Sequence, residues 1–96
     1  YGTINGGGSC SNCSDNILSV NYDGNFKYWE ISIVNETFSY SNFTTLVTPF
    51  TTSSGSTSVI APSVGSVNGN LVVNLYSIIA GDKIEGIGFS FVVYKK

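Results

Sequence analysis

Two lysines stand beside apolar, strand-forming residues, where an amine is unusual. Lys27 alternates with Trp29 in one apolar stretch, and Lys83 and Glu85 begin another near the end of the chain. A desolvated lysine beside a carboxylate and near an Asn can form an isopeptide bond, because the neutral amine displaces ammonia from the carboxamide while the acid shuttles the proton. The alternative is a lysine at a strand end that keeps its ammonium group in water. Both interpretations stay open at the level of sequence.

The two cysteines, Cys10 and Cys13, are separated by Ser-Asn in a stretch rich in Gly and Ser. Zinc needs about four ligands, and this chain has neither a second cysteine pair nor any His. A thioredoxin-type motif opens a helix in a βαβ unit, and no such unit is indicated. We therefore expect a disulfide between these two residues, which is typical of an exported protein.

Groups that could catalyse a reaction are scarce. Without His, the usual Ser-His and Cys-His pairs are impossible. The six acidic side chains fall mostly in predicted loops and turns, and Asp82 with Glu85 is too small a cluster for calcium. We expect no enzymatic activity, no metal site and no cofactor.

Three Asn-X-Ser/Thr sequons begin at Asn12, Asn35 and Asn42. Charged residues make up only 10% of the chain, against about 25% in ordinary soluble domains. Glycans on these asparagines would supply the surface hydration that charges normally provide, so the sequence predicts N-glycosylation. The alternative is that a chain rich in Asn, Ser and Thr contains such triplets by chance.

The balance of charges limits the possible partners. The chain has no Arg, and its four lysines cannot form the basic surface that a nucleic-acid backbone requires. No apolar run approaches the ~20 residues of a membrane-spanning helix. The start at Tyr1 without an initiator Met suggests that a signal segment has been removed. We therefore expect an extracellular protein with no nucleic-acid partner.

Apolar and polar residues alternate along most of the chain, and helix-forming residues are few, which favours strands. The last strand has two apolar or small faces and carries Gly86 and Gly88, so we expect it to be central and closely approached by a neighbour. Trp29 is expected in the core. The predicted strands are 17–22, 26–34, 37–40, 43–50, 59–61, 64–67, 71–79 and 84–94. The predicted tight turns are Asp23-Gly24, Asn68-Gly69 and Gly81-Asp82, the last of which would make a hairpin of 71–79 and 84–94.

These elements predict one all-β domain, an antiparallel β-sandwich of immunoglobulin-like or jelly-roll type with six to seven strands. At 96 residues the chain has room for a single core. Residues 1–9 read as an extended N-terminal tail with a Gly6-Gly7-Gly8 hinge, and residues 10–96 as the sandwich.

A short extended N-terminal piece, a glycine hinge, several sequons and a low-charge β domain together resemble subunits of the archaeal extracellular thread filament, a pilus-like fibre. The resemblance implies a structural subunit that polymerises with copies of itself by donor-strand complementation, with N-linked glycans and isopeptide bonds as reinforcement. It implies that the donor strand inserted into the next subunit consists of Tyr1, Gly2, Thr3, Ile4 and Asn5.

Two other interpretations fit the same strands. A viral capsid or fibre-head domain also lacks catalytic residues but needs neither sequons nor a mobile tail. A secreted carbohydrate-binding module would stack sugars on exposed aromatic residues, for which Tyr28, Tyr40 and Tyr76 are candidates.

Overall fold

The computed structural model describes residues 1–50, 60–77, 83–84 and 87–96. Within these ranges the chain forms seven strands and no helix, in two antiparallel sheets ordered β1-β7-β4 and β2-β3-β6-β5. This confirms the all-β prediction. The strands are β1 Gly2–Ile4, β2 Ile17–Asp23, β3 Tyr28–Ile33, β4 Phe43–Pro49, β5 Ile60–Val67, β6 Asn70–Ser77 and β7 Phe89–Lys95.

The two sheets share one apolar core. Trp29 of β3 is 1% exposed and lies edge-on to Phe89 of β7, with ring centroids 5.3 Å apart. The prediction that Trp29 belongs to the core is therefore confirmed. The remaining buried members come from both sheets and from the segment before β4: Ile4, Ile31, Phe38, Phe43, Leu71, Val73, Leu75 and Phe91.

The hairpin of β2 and β3 forms where the sequence predicts it, but its turn is wider. Asp23 Oδ1 accepts the N–H groups of Asn25 and Phe26, and the Asp23 carbonyl accepts the N–H of Lys27. The positive φ, 58°, falls on Lys27 and not on Gly24. The expectation that Lys27 shares the buried face of Trp29 is therefore wrong, because β3 begins one residue later.

Strands β5 and β6 are joined by the predicted turn at Asn68 and Gly69, whose φ angles are 52° and 79°. The sequence predicts two short pieces interrupted at Pro62, whereas β5 runs through Pro62 without a break. Because β5 pairs with β6 alone, it is an edge strand, where a residue without an N–H group is tolerated.

The predicted hairpin of 71–79 and 84–94 is wrong, because β6 and β7 lie in different sheets. Lys83 forms an isolated bridge with Tyr76, and the Ile84 N–H donates to the Leu75 carbonyl, before the chain crosses to the other sheet. β7 then pairs with both β4 and β1, so its predicted central position is confirmed. Gly81, Asp82 and Gly86 lie outside the described residues.

The predicted strand over 37–40 is not formed. The segment is instead a loop whose Phe38 is 2% exposed and stacks on Phe43 with ring centroids 5.1 Å apart. The Phe38 N–H donates to the Gly69 carbonyl, so the loop is held across the end of β5 and β6.

Candidate functional site: the groove that holds β1

The first strand of the chain lies in a groove with two hydrogen-bonding walls. On one side β1 pairs antiparallel with β7, where Gly2 faces Phe91 and Ile4 faces Phe89. On the other side Thr3 donates its N–H to Asn12 and its carbonyl accepts the N–H of Ser11, at 3.1 and 2.8 Å. We call this the donor groove, with β7 as one wall and residues 10–14 as the other.

The side chains of β1 fit this groove through one apolar anchor and one missing side chain. Ile4 is 0% exposed and belongs to the shared core. A Cβ placed on Gly2 would lie 2.5 Å from the Cys13 sulfur and 2.8 Å from the Phe91 ring. The strand can therefore approach the floor of the groove only because residue 2 has no side chain.

Gly88 completes the floor of the groove at the other end of β1. A Cβ at Gly88 would collide with the Ile4 carbonyl, and it would lie 3.1 Å from the Asn5 Cα. This bears out the expectation that a glycine before β7 admits a neighbouring backbone. The neighbour is β1, which the sequence analysis did not identify because a three-residue strand with one apolar side chain has almost no periodicity.

The glycines after β1 form a tight turn. The Asn5 N–H donates to the Ser9 carbonyl, and the Asn5 side-chain oxygen accepts the N–H groups of Gly7 and Ser9 at 3.0 and 3.1 Å. Gly8 has a φ of 88°, in the left-handed region that glycine adopts without strain. The turn brings the chain back antiparallel to β1, where Cys10 bridges to Ile4.

Cys10 and Cys13 lie at disulfide-bonding distance, with their Cα atoms 5.9 Å apart. They stand at the two ends of the Ser11-Asn12 segment that bonds Thr3. Cys13 also packs against the core. The disulfide expected from the sequence would therefore fix the shape of one wall of the donor groove.

The donor groove is longer than the strand that it holds. β4 pairs with β7 as far as Lys95, whereas β1 pairs with β7 only as far as Phe91. Beyond Tyr1 a cleft of about 120 Å³ opens between the sheets. An exposed ion pair, Lys95 to Glu36 at 3.1 Å, lies on its rim. Its other lining residues are Tyr1, Asn16, Ile17, Ile33, Phe43 and Val93.

Neither lysine considered for isopeptide chemistry is deeply buried. Lys27 is exposed in the β2–β3 turn. Lys83 is half-buried, its amine donates to the Phe26 carbonyl, and it lies 5.9 Å from the centre of the Tyr28 ring. These contacts match the strand-end alternative more closely than a desolvated amine beside a carboxamide, and an isopeptide bond stays a prediction.

All three sequon asparagines, Asn12, Asn35 and Asn42, are exposed. Asn35 lies in the turn after β3 with a φ of 59°. Asn42 immediately precedes β4 and keeps its side chain on the surface. Each position is therefore accessible to a glycosylating enzyme, and Asn12 lies on the wall of the donor groove.

The tyrosines considered for sugar stacking are dispersed. Tyr40 is 69% exposed in the loop before β4, whereas Tyr28 and Tyr76 are half-buried on β3 and β6. Tyr28 stacks on Phe26 with ring centroids 5.9 Å apart. Desolvation raises the pKa of Tyr28 above its ordinary value, with smaller contributions from the carboxylates of Asp23 and Glu30.

Within the described ranges, no three His, Cys, Asp or Glu side chains come together as a metal-binding group. The same part of the chain contains no helix of the length and apolarity needed to span a membrane. Comparisons of this chain with protein-family models, with curated proteins and with solved structures find no match.

Proposed function

We propose that this protein is a structural subunit of an extracellular, glycosylated filament, assembled when the N-terminal strand of one copy enters the donor groove of the next. The role is structural and not catalytic. The filament would be of the kind that the sequence resembles, the archaeal extracellular thread.

The observation that carries this proposal is the strand order. In the immunoglobulin fold, strands A to G form one sheet ordered A-B-E-D and a second formed by C, F and G. Strands β2 to β7 match A to F, because the sheets are β2-β3-β6-β5 and β7-β4 when β1 is removed. The place of G, antiparallel to F, is taken by β1 from the other end of the chain. The domain is therefore an immunoglobulin-like sandwich that needs a strand from outside the series β2 to β7.

Such a strand can come from the same chain or from a neighbouring copy, because the contacts of β1 are identical in both cases. An exchanged strand would still bury Ile4, pass over Gly88 and bond both walls of the groove. Only the hydrogen bonds of the turn after β1 would be lost. When that turn opens, the five steps from Asn5 to Cys10 can span about 17 Å between neighbouring subunits.

The surface of the domain suits an assembly outside the cell. The chain has few charges, its three sequon asparagines are exposed and its cysteines lie at bonding distance. Glycans at Asn12, Asn35 and Asn42 would hydrate the fibre, and an oxidising environment would keep the groove wall closed.

Removal of residues 1–5 tests the proposal by electron microscopy. The full chain should form fibres one subunit wide, and the truncated chain should form none, because its β7 has no strand to pair with on that side. A synthetic peptide of residues 1–9, added in excess, should restore a soluble capped monomer. Fibres from the truncated chain, or a full chain that gives only separate particles at every concentration tested, would reject the proposal.

A further inference from the structure

The other edge of the three-stranded sheet presents an ordered set of free backbone groups. The Lys96 N–H donates to the Asn42 carbonyl and the Phe50 N–H donates to the Gly88 carbonyl, both at 2.9 Å. In an antiparallel ladder the residues that bond a given neighbour alternate. Even-numbered residues of β4 therefore bond β7, and the odd-numbered residues point their N–H and C=O groups away from it.

In the part of the chain that the structure describes, no strand pairs with β4 on that side. The free groups belong to Phe43, Thr45 and Val47, while Pro49 offers only a carbonyl. Their side chains point into the sandwich, and the intervening Leu46 is 59% exposed on the outer face.

The remaining sheet edges carry features that discourage pairing with another chain. β5 has Pro62 near its start, β2 has an irregular register between Ile17 and Ser19, and β1 is covered by residues 10–14. β4 has seven residues, no charged side chain and proline only at its last position. An uncharged, regular edge strand is a template for a further strand.

We propose that β4 pairs antiparallel with β4 of a second copy of this chain, with Thr45 at the two-fold axis. In this register Thr45 bonds the second copy's Thr45, and Phe43 bonds the second copy's Val47, so each free N–H meets a free C=O. Because the strand has no charge, the pairing places no like charges opposite each other. The result is one sheet of six strands across two domains.

A second observation points to the same partner and the same centre. The Thr45 hydroxyl is buried without a hydrogen-bond partner. Side chains of directly paired antiparallel residues lie on the same face of the sheet, and Thr–Thr pairs hydrogen-bond there. The second copy's Thr45 therefore supplies the missing partner. This interface goes beyond the proposed function, since it links copies laterally and not end to end.

Two substitutions at one position test the pairing. Thr45→Pro removes an N–H that points to the free edge and leaves the ladder to β7 intact, whereas Thr45→Val keeps that N–H. In sedimentation velocity we expect the unaltered chain and Thr45→Val to form the lateral dimer, and Thr45→Pro to weaken it at least about tenfold, as expected for a loss of about 1.4 kcal/mol. Thermal melting confirms that each variant is folded.

Leu46→Lys provides a second test that leaves the backbone unchanged, because a charge on an edge strand opposes pairing. It decides the question if Thr45→Pro does not fold. Dimers of undiminished strength in Thr45→Pro, or in Leu46→Lys at low salt, would overturn the inference. The chain without residues 1–5 separates this interface from strand exchange, because it should form no fibre and still form the lateral dimer.

Discussion

The two flanks of β7 are held in different ways. β4 pairs with β7 along seven residues, from Phe43 to Pro49, and the chain continues from both ends of β4. β1 pairs along three residues at the start of the chain, and its position depends on Ile4, Gly2 and Gly88. A long ladder inside the chain is difficult to replace. A short terminal strand held by one buried side chain can be released and replaced by an identical strand from another copy.

Gly88→Val should have the largest effect on this comparison. The added side chain would collide with the backbone of Ile4 and Asn5 and displace β1, which removes the burial of Ile4 and costs about 3 kcal/mol of unfolding free energy. Urea denaturation measures the loss. The same collision awaits an exchanged strand, so fibres should be lost as well.

Gly65→Ala is the matched control, because Gly65 also lies in the sheets but a Cβ there would meet no atom within 4 Å. We expect it to change the unfolding free energy by no more than about 0.5 kcal/mol, in the stabilising direction. Equal effects of the two substitutions would show that Gly88 has no special part in holding β1.

Replacement of both cysteines by serine should have a smaller effect, confined to the β1 flank. Loss of a disulfide that closes a four-residue loop costs about 2 kcal/mol in the chain-entropy model. The expected change is faster hydrogen exchange at Thr3 and Ser11, whose amides bond across the groove, with little change at the β4 flank. Uniform loss of protection on both flanks of β7 would contradict the assignment of residues 10–14 as a groove wall.

The sequence predicts faces and turns of this fold better than it predicts partners. Alternation in 84–94 correctly puts Phe89 and Phe91 in the core, because side chains on a strand point to opposite sides with a period of two. The same pattern does not specify which sheet a strand joins, and the predicted hairpin of β6 and β7 is wrong for that reason. The closeness of the segments along the chain favoured the hairpin, although the two strands lie in different sheets.

The donor groove was only partly accessible from sequence. Gly88 is recognisable as a point of close approach because it interrupts an apolar strand. The groove itself combines residues 2–4, 10–14 and 88–91, which are far apart in the chain, and Ile4 is a single apolar residue among polar and glycine neighbours. No local pattern reports that Gly2 has to fit between Cys13 and Phe91.

Cysteine substitutions at Thr3 and Ser90 provide the most direct measurement of strand exchange. These residues face each other across β1 and β7, with their hydroxyls 3.2 Å apart. The Thr3 backbone bonds the opposite wall, so this is a non-hydrogen-bonded pair, whose Cα atoms lie about 4.5 Å apart, within disulfide reach.

Assembled Thr3→Cys/Ser90→Cys protein is oxidised and analysed on a denaturing gel without reductant, with each single substitution as a control. Strand exchange predicts a ladder of covalent oligomers that collapses to monomer on reduction, since the thiol introduced on β1 of one copy then faces the thiol introduced on β7 of the next. Fibres that yield only internally cross-linked monomers would show that β1 stays in its own chain and would contradict the proposed assembly.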